Sequence, residues 1–138
     1  MISGRCLCGN VTYRCDAEPA LTGMCHCDDC QRGSGAPFSV WLALPADKLE
    51  IEGDGVASHV TVGTETKAKR ERKFCSSCGS PVVTLMEDMP QFALVRAGTL
   101  DDRSGVEPQL EIWCDSAQPW VETMTRPQAF PTGLPTQA

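Results

Sequence analysis

The sequence predicts a single, mostly β domain that is held together partly by metal–sulfur bonds. Its 138 residues contain short runs of alternating apolar and polar residues separated by turn residues, and no long run with a 3.6-residue period. Nine cysteines, but only 4 Phe, 3 Trp and 1 Tyr, leave little aromatic material for a core. Most of these cysteines lie in short groups that are typical of zinc ligands.

Six alternating runs are predicted as strands and two short segments as helical turns. The strands are predicted at residues 11–15, 38–44, 57–62, 81–85, 92–95 and 110–114. The helical turns are predicted near residues 46–49 and 115–121. We predict one zinc-binding domain over residues 1–125, followed by a Pro-rich tail over residues 126–138 that is extended or disordered.

The charge and the N-terminus restrict the class of protein. The chain has 12 Lys and Arg against 18 Asp and Glu, a net charge of −6, which argues against a nucleic-acid partner. The first residues lack the basic and apolar regions of a signal peptide, and the apolar-rich stretch 34–46 is too short to span a membrane. We therefore expect a cytoplasmic protein with no membrane partner. Clustered cysteines in such a compartment are more often metal ligands than disulfides.

Two cysteine pairs predict a closed structural zinc site. Cys6 and Cys8 occur in RCLCGN, and Cys75 and Cys78 occur in FCSSCGSP. A glycine follows each pair, and it can adopt the positive φ that brings backbone N–H groups close to the sulfurs. Four thiolates fill a zinc tetrahedron, so this site should stabilise the fold without binding substrate. The alternative for Cys75 and Cys78 is a thioredoxin-like redox pair, which normally opens a helix.

A third group, Cys25, Cys27 and Cys30, predicts an open zinc site with a catalytic role. Three protein ligands and one vacant position are the pattern of functional zinc. A zinc trithiolate has a charge of about −1 and activates water poorly, but it can hold an incoming thiol as a thiolate that attacks an electrophilic carbon. The alternative is a second closed site. The candidates for its fourth ligand are His26, Asp28, Asp29, Cys15 and Cys114.

These five residues also have other interpretations. His26 lies between two proposed ligands, so in an extended segment its side chain points away from their metal. It either orients the loop or transfers a proton, or it is a half-buried histidine without a catalytic part. Asp28 and Asp29 are expected to cap a turn. Cys15 and Cys114 are expected to be small buried apolar groups.

The order of these motifs resembles the glutathione-dependent formaldehyde-activating enzyme family, the centromere protein V / GFA type of zinc domain. The landmarks are G-R-C-x-C-G, C-H-C-x-x-C, G-A-P-F-S-V-W, F-C-x-x-C-G-S, A-G-T-L-D-D and Trp120, covering residues 3–121. The resemblance implies a β-tent fold of small antiparallel sheets pinned by zinc. It also implies a carbon–sulfur lyase that joins formaldehyde and glutathione into S-hydroxymethylglutathione.

The resemblance also assigns residues. It implies two zinc ions, with glutathione as co-substrate. The structural ligands would be Cys6, Cys8, Cys75 and Cys78, and the functional ligands Cys25, Cys27 and Cys30. The chain departs from the family pattern at Glu111, where relatives often have a histidine.

Glutathione carries two carboxylates, so its site should offer cations close to the open zinc. If the basic run at residues 67–74 is a strand, Arg70 and Arg72 share one face with Ala68 and Phe74, and we select these two arginines as substrate contacts. The alternative for each is an intramolecular ion pair. Arg32 and Arg96 are further candidates.

Two aromatic residues follow the three-cysteine loop. Phe38 is expected either to shield the open zinc position from water or to pack in the core, and Trp41 is expected to pack. Two function classes remain: an enzyme acting on a small thiol and an aldehyde, and a zinc-stapled binding module or glutathione/aldehyde carrier. An exposed β edge would permit a dimer.

Overall fold

The protein is described by a computed structural model that covers residues 1–121 and 128–134. The strands, in chain order, are β1 (Ile2–Arg5), β2 (Thr12–Cys15), β3 (Leu21–Cys25), β4 (Ser39–Pro45), β5 (Leu49–Glu52), β6 (Val56–Val62), β7 (Lys69–Cys75), β8 (Pro81–Met86), β9 (Phe92–Arg96), β10 (Leu110–Ile112) and β11 (Gln128–Ala129). The helical elements are α1 (Asp28–Ser34) and three 3₁₀ turns at Ala46–Lys48, Ala97–Thr99 and Cys114–Ser116.

The strands form two sheets within the described part of the chain. The smaller sheet is antiparallel, in the order β1-β2-β5, and the larger has the order β11-β10-β3-β4-β9-β8-β7-β6. Pairing in the larger sheet is antiparallel except that β10 runs parallel to both β3 and β11. The predicted mostly β fold is confirmed. Each of the six predicted strands overlaps an observed one, and both predicted helical turns overlap 3₁₀ turns.

The six predicted strands do not include β1, β3, β5, β7 or β11, and α1 is not predicted either. Residues 22–25 of β3 are all buried, so this strand is covered on both faces and shows no polar face. Gly23 also interrupts its pattern; a Cβ there would lie 2.8 Å from the Trp41 ring, so only glycine permits this packing. Helix α1 has seven residues, too few for a 3.6-residue period to be evident. Among the described residues, no helix has the length and apolar character needed to cross a membrane.

Strand β4 separates two apolar cores, because successive side chains point to opposite faces of the sheet. Leu42 and Leu44 belong to the first core, which includes Tyr13 of the smaller sheet and joins the two sheets. Trp41 and Ala43 point the other way into the second core. The first core also contains Cys6 and Cys75, whereas Cys25 belongs to the second. The two predicted zinc sites therefore lie in different cores.

Part of the predicted tail pairs with the sheet. Strand β11 runs beside β10, with Leu110 opposite Gln128 and Glu111 opposite Ala129. Phe130 and Leu134 pack against the second core. Residues 122–127 and 135–138 lie outside the described residues, so the boundary between residues 125 and 126 and the conformation of the rest of the tail stay predictions.

Candidate metal centres and the adjoining cavity

The first centre consists of four thiols from two distant turns. Cys6 and Cys8 follow β1, while Cys75 ends β7 and Cys78 precedes β8. The four Sγ atoms lie within 4.8 Å of one another. The Cys6–Cys8 and Cys8–Cys75 sulfur distances are 3.6 Å and 3.7 Å. A zinc tetrahedron with bonds of about 2.3 Å has sulfurs about 3.8 Å apart, so the four thiols fit a zinc ion as they stand.

Two similar turns hold these thiols. In each, a glycine with positive φ donates its N–H to the carbonyl of the cysteine that opens the turn: Gly9 to Cys6 at 3.2 Å, and Gly79 to Cys75 at 2.7 Å. The pair Cys75 and Cys78 thus occupies a turn between two strands. Because a redox pair of this spacing normally opens a helix, the turn argues against the thioredoxin-like alternative.

Polar hydrogens surround the sulfurs of this first centre. The N–H of Val11 donates to Cys6 Sγ at 3.3 Å. Hydrogen bonding by Ser80 lowers the pKa of Cys78 to about 5. Both interactions favour the thiolate over the thiol, and the thiolate is the protonation state that binds zinc.

The second centre consists of Cys25, Cys27 and Cys30, whose Sγ atoms also lie within 4.8 Å of one another. Cys25 ends β3, Cys27 precedes α1 and Cys30 lies in its first turn. The N–H of Cys30 donates to Cys27 Sγ at 3.3 Å, so a thiol rather than Asp28 or Asp29 caps the helix. Within the described ranges, no other His, Cys, Asp or Glu joins this group.

The surroundings of the three thiols favour the thiolate form at Cys30 and the thiol form at Cys25. Hydrogen bonds from Cys25 and Cys27 lower the pKa of Cys30 to about 2, and the nearby Arg96 acts in the same direction. Hydrogen bonds with Cys27 and Cys30, together with burial, raise the pKa of Cys25. A group that already stabilises one thiolate, and offers two more sulfur ligands, is suited to a thiophilic cation such as zinc.

None of the five residues proposed as a fourth ligand, His26, Asp28, Asp29, Cys15 and Cys114, joins the three-thiol group. Cys15 is buried in the first core, and Asp28 pairs with Arg32 at 3.0 Å on the exposed face of α1. The side chain of His26 is fully buried and its Nε2 lies 2.9 Å from Oε1 of Glu111 on β10. Cys114 is half-buried and lies within 4.8 Å of both, so His26, Glu111 and Cys114 form a separate group that could hold a metal ion.

The three-cysteine loop is fixed to β10 through His26. The backbone N–H of His26 donates to the carbonyl of Ile112 at 3.1 Å, and the backbone carbonyl of His26 accepts from Gln31 Nε2 at 2.7 Å. Sequence reasoning missed the contact with Glu111. The available signal was a carboxylate in the apolar strand L-E-I, since a buried carboxylate needs a polar partner and the chain has only 2 histidines.

The arginines near the second centre differ in their partners. Arg70 Nη1 lies 2.7 Å from Asp88 Oδ1, so the ion-pair alternative applies to it. Neither Arg72 nor Arg96 has an acidic ion-pair partner in the part of the chain that the structure describes. Arg96 donates to Thr84 Oγ1 at 3.2 Å, while its buried Nε has no hydrogen-bond partner there. Burial lowers the pKa of Arg96, and the nearby charge of Arg72 adds to this effect.

A cavity of about 430 Å³ adjoins the three thiols. Its floor is one face of the larger sheet, where paired residues on five strands form a row: Leu21, Ala43, Leu94, Thr84 and Arg72. Trp41 and Arg96 pair in the next row, on the side of the thiols. Phe38 does not line the cavity; its ring lies 5.6 Å from that of His26. Two tryptophans line the cavity instead: Trp41 on β4 and Trp113, which directly follows Ile112, the partner of Cys25 in β10.

Comparison with known proteins identifies both similar sequences and similar folds. The family profile described as glutathione-dependent formaldehyde-activating enzyme matches residues 1–116. A Phaeosphaeria nodorum protein is 27% identical over 114 residues, and an Aspergillus terreus protein is 28% identical over 108 residues. Both carry the provisional name glutathione-dependent formaldehyde-activating enzyme.

The lengths of these relatives differ from that of the present chain. The matches cover 80% and 76% of this chain, but 58% and 55% of the relatives, so the chain spans little more than half of their length. A crystal structure of a Rhodobacter sphaeroides protein superimposes with a TM-score of 0.57 at 22% identity. That match covers 77% of this chain and 91% of the other, and it shows a shared fold.

Proposed function

Since the chain belongs to the glutathione-dependent formaldehyde-activating enzyme family, we propose that it is a zinc enzyme that joins the thiol of glutathione to formaldehyde or another small aldehyde. This is a reaction of the carbon–sulfur lyase type, run in the direction of addition. The observation that carries the proposal is a group of three thiols in the wall of a cavity that also contains Arg72 and Arg96, which have no acidic ion-pair partner among the described residues.

The two thiol groups have different roles in this proposal. Cys6, Cys8, Cys75 and Cys78 would hold a structural zinc, because four thiolates leave no position for a substrate. Cys25, Cys27 and Cys30 would hold a second zinc, which when bound accepts a further sulfur ligand and stabilises it as a thiolate.

The arginines recognise the charges of glutathione. Arg96 lies beside the three thiols, where its positive charge already favours the thiolate form of Cys30. It therefore also stabilises the negative charge of an incoming sulfur. Arg72 lies further along the cavity floor, where its guanidinium can bind a glutathione carboxylate through two parallel hydrogen bonds.

Substituting Arg72 should weaken glutathione binding. Loss of a hydrogen-bonded charge pair costs about 1.5–3 kcal/mol, so we expect Arg72→Ala to raise the Kd for glutathione about tenfold or more. Isothermal titration of the zinc-loaded protein measures this. Arg32→Ala is the matched control, because Arg32 is exposed and pairs with Asp28 on α1. Equal Kd values for the two variants would contradict the proposed role of Arg72.

The second candidate is a glutathione/aldehyde carrier, since thiols and aldehydes combine without a catalyst. Rate measurements distinguish the two. An enzyme used at a small fraction of the substrate concentration accelerates adduct formation in proportion to its amount, whereas a carrier only depletes its own equivalent of ligand. Failure to accelerate the reaction, with glutathione binding retained, would favour the carrier.

A further inference from the structure

The cavity floor has two chemically different sides, which follow from the strand order. The apolar side lies on β3, β4 and β9 and consists of Leu21, Trp41, Ala43, Phe92 and Leu94; Arg96, opposite Trp41, lies at the end of this side that is closer to the thiols. The cationic side lies on β7, at the opposite end of the same cross-strand row, where Arg72 has no acidic ion-pair partner among the described residues and Arg70 next to it pairs with Asp88. Thr84 of β8 separates the two sides.

The apolar side begins near the three thiols. Cys25 pairs with Ser39 at the start of β4, and Trp41 and Ala43 follow at steps of two residues on the same face. Two such steps correspond to about 14 Å along a strand. Phe92, which pairs with Pro45, lies at the far end of this apolar side. The apolar side therefore extends well beyond the length of a one-carbon substrate.

The charges of glutathione match the cationic side. Its two carboxylates and one ammonium lose hydration in an apolar groove without compensation, but they can pair with arginines. With a carboxylate paired to Arg72 on β7, glutathione would leave the apolar side to the second reactant. A cavity of about 430 Å³ is in the range, about 300–1,000 Å³, that holds a ligand much larger than formaldehyde.

We propose that the aldehyde this site selects carries an apolar chain, which lies along Leu21, Trp41, Ala43, Phe92 and Leu94. This inference rests on the proposed function, because it assigns the second reactant of that reaction. Burial of each methylene of the chain removes apolar surface from water and strengthens binding. Formaldehyde has no chain and gains nothing from the apolar side.

The covalent step is an addition without any change of oxidation state. A lone pair of the glutathione sulfur forms a bond to the carbonyl carbon, and the π electrons of the C=O bond move to oxygen. The oxygen takes up the proton that the thiol released. The product is the hemithioacetal of glutathione and the aldehyde, and nothing leaves.

The first test compares formaldehyde, propanal and hexanal with the zinc-loaded protein at saturating glutathione. Exchange NMR gives the rate of adduct formation with and without protein, and the ratio is the acceleration. We expect the acceleration to rise with chain length, by up to about fourfold for each methylene that is fully buried. An acceleration of hexanal no greater than that of formaldehyde, with glutathione binding intact, would overturn this inference and leave the proposed function standing.

The second test measures binding of unreactive alcohols. We expect 1-hexanol, but not methanol, to shift the methyl NMR signals of Leu21, Ala43 and Leu94. Shifts confined to residues outside the cavity would overturn the inference. If the protein binds no glutathione at all, the proposed function fails and this inference fails with it.

Substitutions in the cavity floor test where the apolar chain of the aldehyde lies. Ala43→Phe fills the apolar side and should reduce the ratio of hexanal to formaldehyde acceleration to a small fraction of its original value. Ala57→Phe on β6, outside the cavity lining, is the matched control and should keep the ratio. If Ala43→Phe does not fold, Leu94→Ser tests the same surface without added volume. An unchanged ratio in a folded variant of either kind would contradict the placement of the chain.

Discussion

Cys75→Ala is expected to remove one zinc ion and to abolish cooperative folding. The Cys75 side chain is buried in the first core and belongs to the four-thiol centre that joins β1 to the β7–β8 turn. Structural zinc in small domains contributes about 10–16 kcal/mol of apparent binding free energy. This is comparable to the whole stability of a domain, about 5–15 kcal/mol, so loss of the metal should leave the chain unfolded. Zinc content and thermal unfolding followed by circular dichroism measure both effects.

Cys15→Ala is the matched control for this variant. Cys15 is buried in the same core but belongs to neither thiol group. Its truncation removes one sulfur from the packing, which should cost about 1–2 kcal/mol and leave the zinc content unchanged. If Cys75→Ala were to unfold cooperatively with the same midpoint as Cys15→Ala, the four-thiol centre would not be the structural element we propose.

Cys27→Ala is expected to remove the other zinc ion and glutathione binding while the protein remains folded. Cys27 is half-buried, and its loss leaves the first core and the four-thiol centre intact. The structural effect should be limited to the loss of a helix cap, about 1 kcal/mol. The functional effect should be large, because the two remaining thiols are too few protein ligands to hold the zinc ion. Zinc content and titration with glutathione measure the result.

Cys114→Ala is the control for the second variant, because Cys114 is also a half-buried thiol and lies outside the three-thiol group. It should keep both zinc ions and bind glutathione. Two outcomes would contradict the division into a structural and a functional centre: unfolding of Cys27→Ala to the same extent as Cys75→Ala, or undiminished glutathione affinity in Cys27→Ala.

The sequence predicted the two thiol groups because short spacings dictate local geometry. A C-x-C or C-x-x-C segment brings its sulfurs close together whatever the rest of the fold does. Pairing Cys6 and Cys8 with Cys75 and Cys78 required a further signal, the glycine that closes each turn. Both glycines have positive φ in the structure, a backbone conformation that glycine adopts far more easily than other residues. The reason for which the glycines were used as a signal is therefore confirmed.

Long-range partners were beyond the reach of local patterns. Alternation placed Arg70 and Arg72 on one face, and both line the cavity, but Asp88 on a later turn decides which of them has an ion-pair partner. The contact between His26 and Glu111 depends on the parallel pairing of β10 with β3, which no spacing in the sequence indicates. Strand β3 was missed for a related reason, since it is buried by elements that are distant in sequence.

The central claim is that the three-thiol centre is open and takes the thiol of glutathione as its next ligand. X-ray absorption at the zinc edge tests it most directly, because it counts the sulfur atoms bound to zinc. With one centre of four thiols and one of three, we expect an average of three and a half sulfurs per zinc, rising to four when glutathione is added. An average of four before addition, or no change on addition, would contradict the claim.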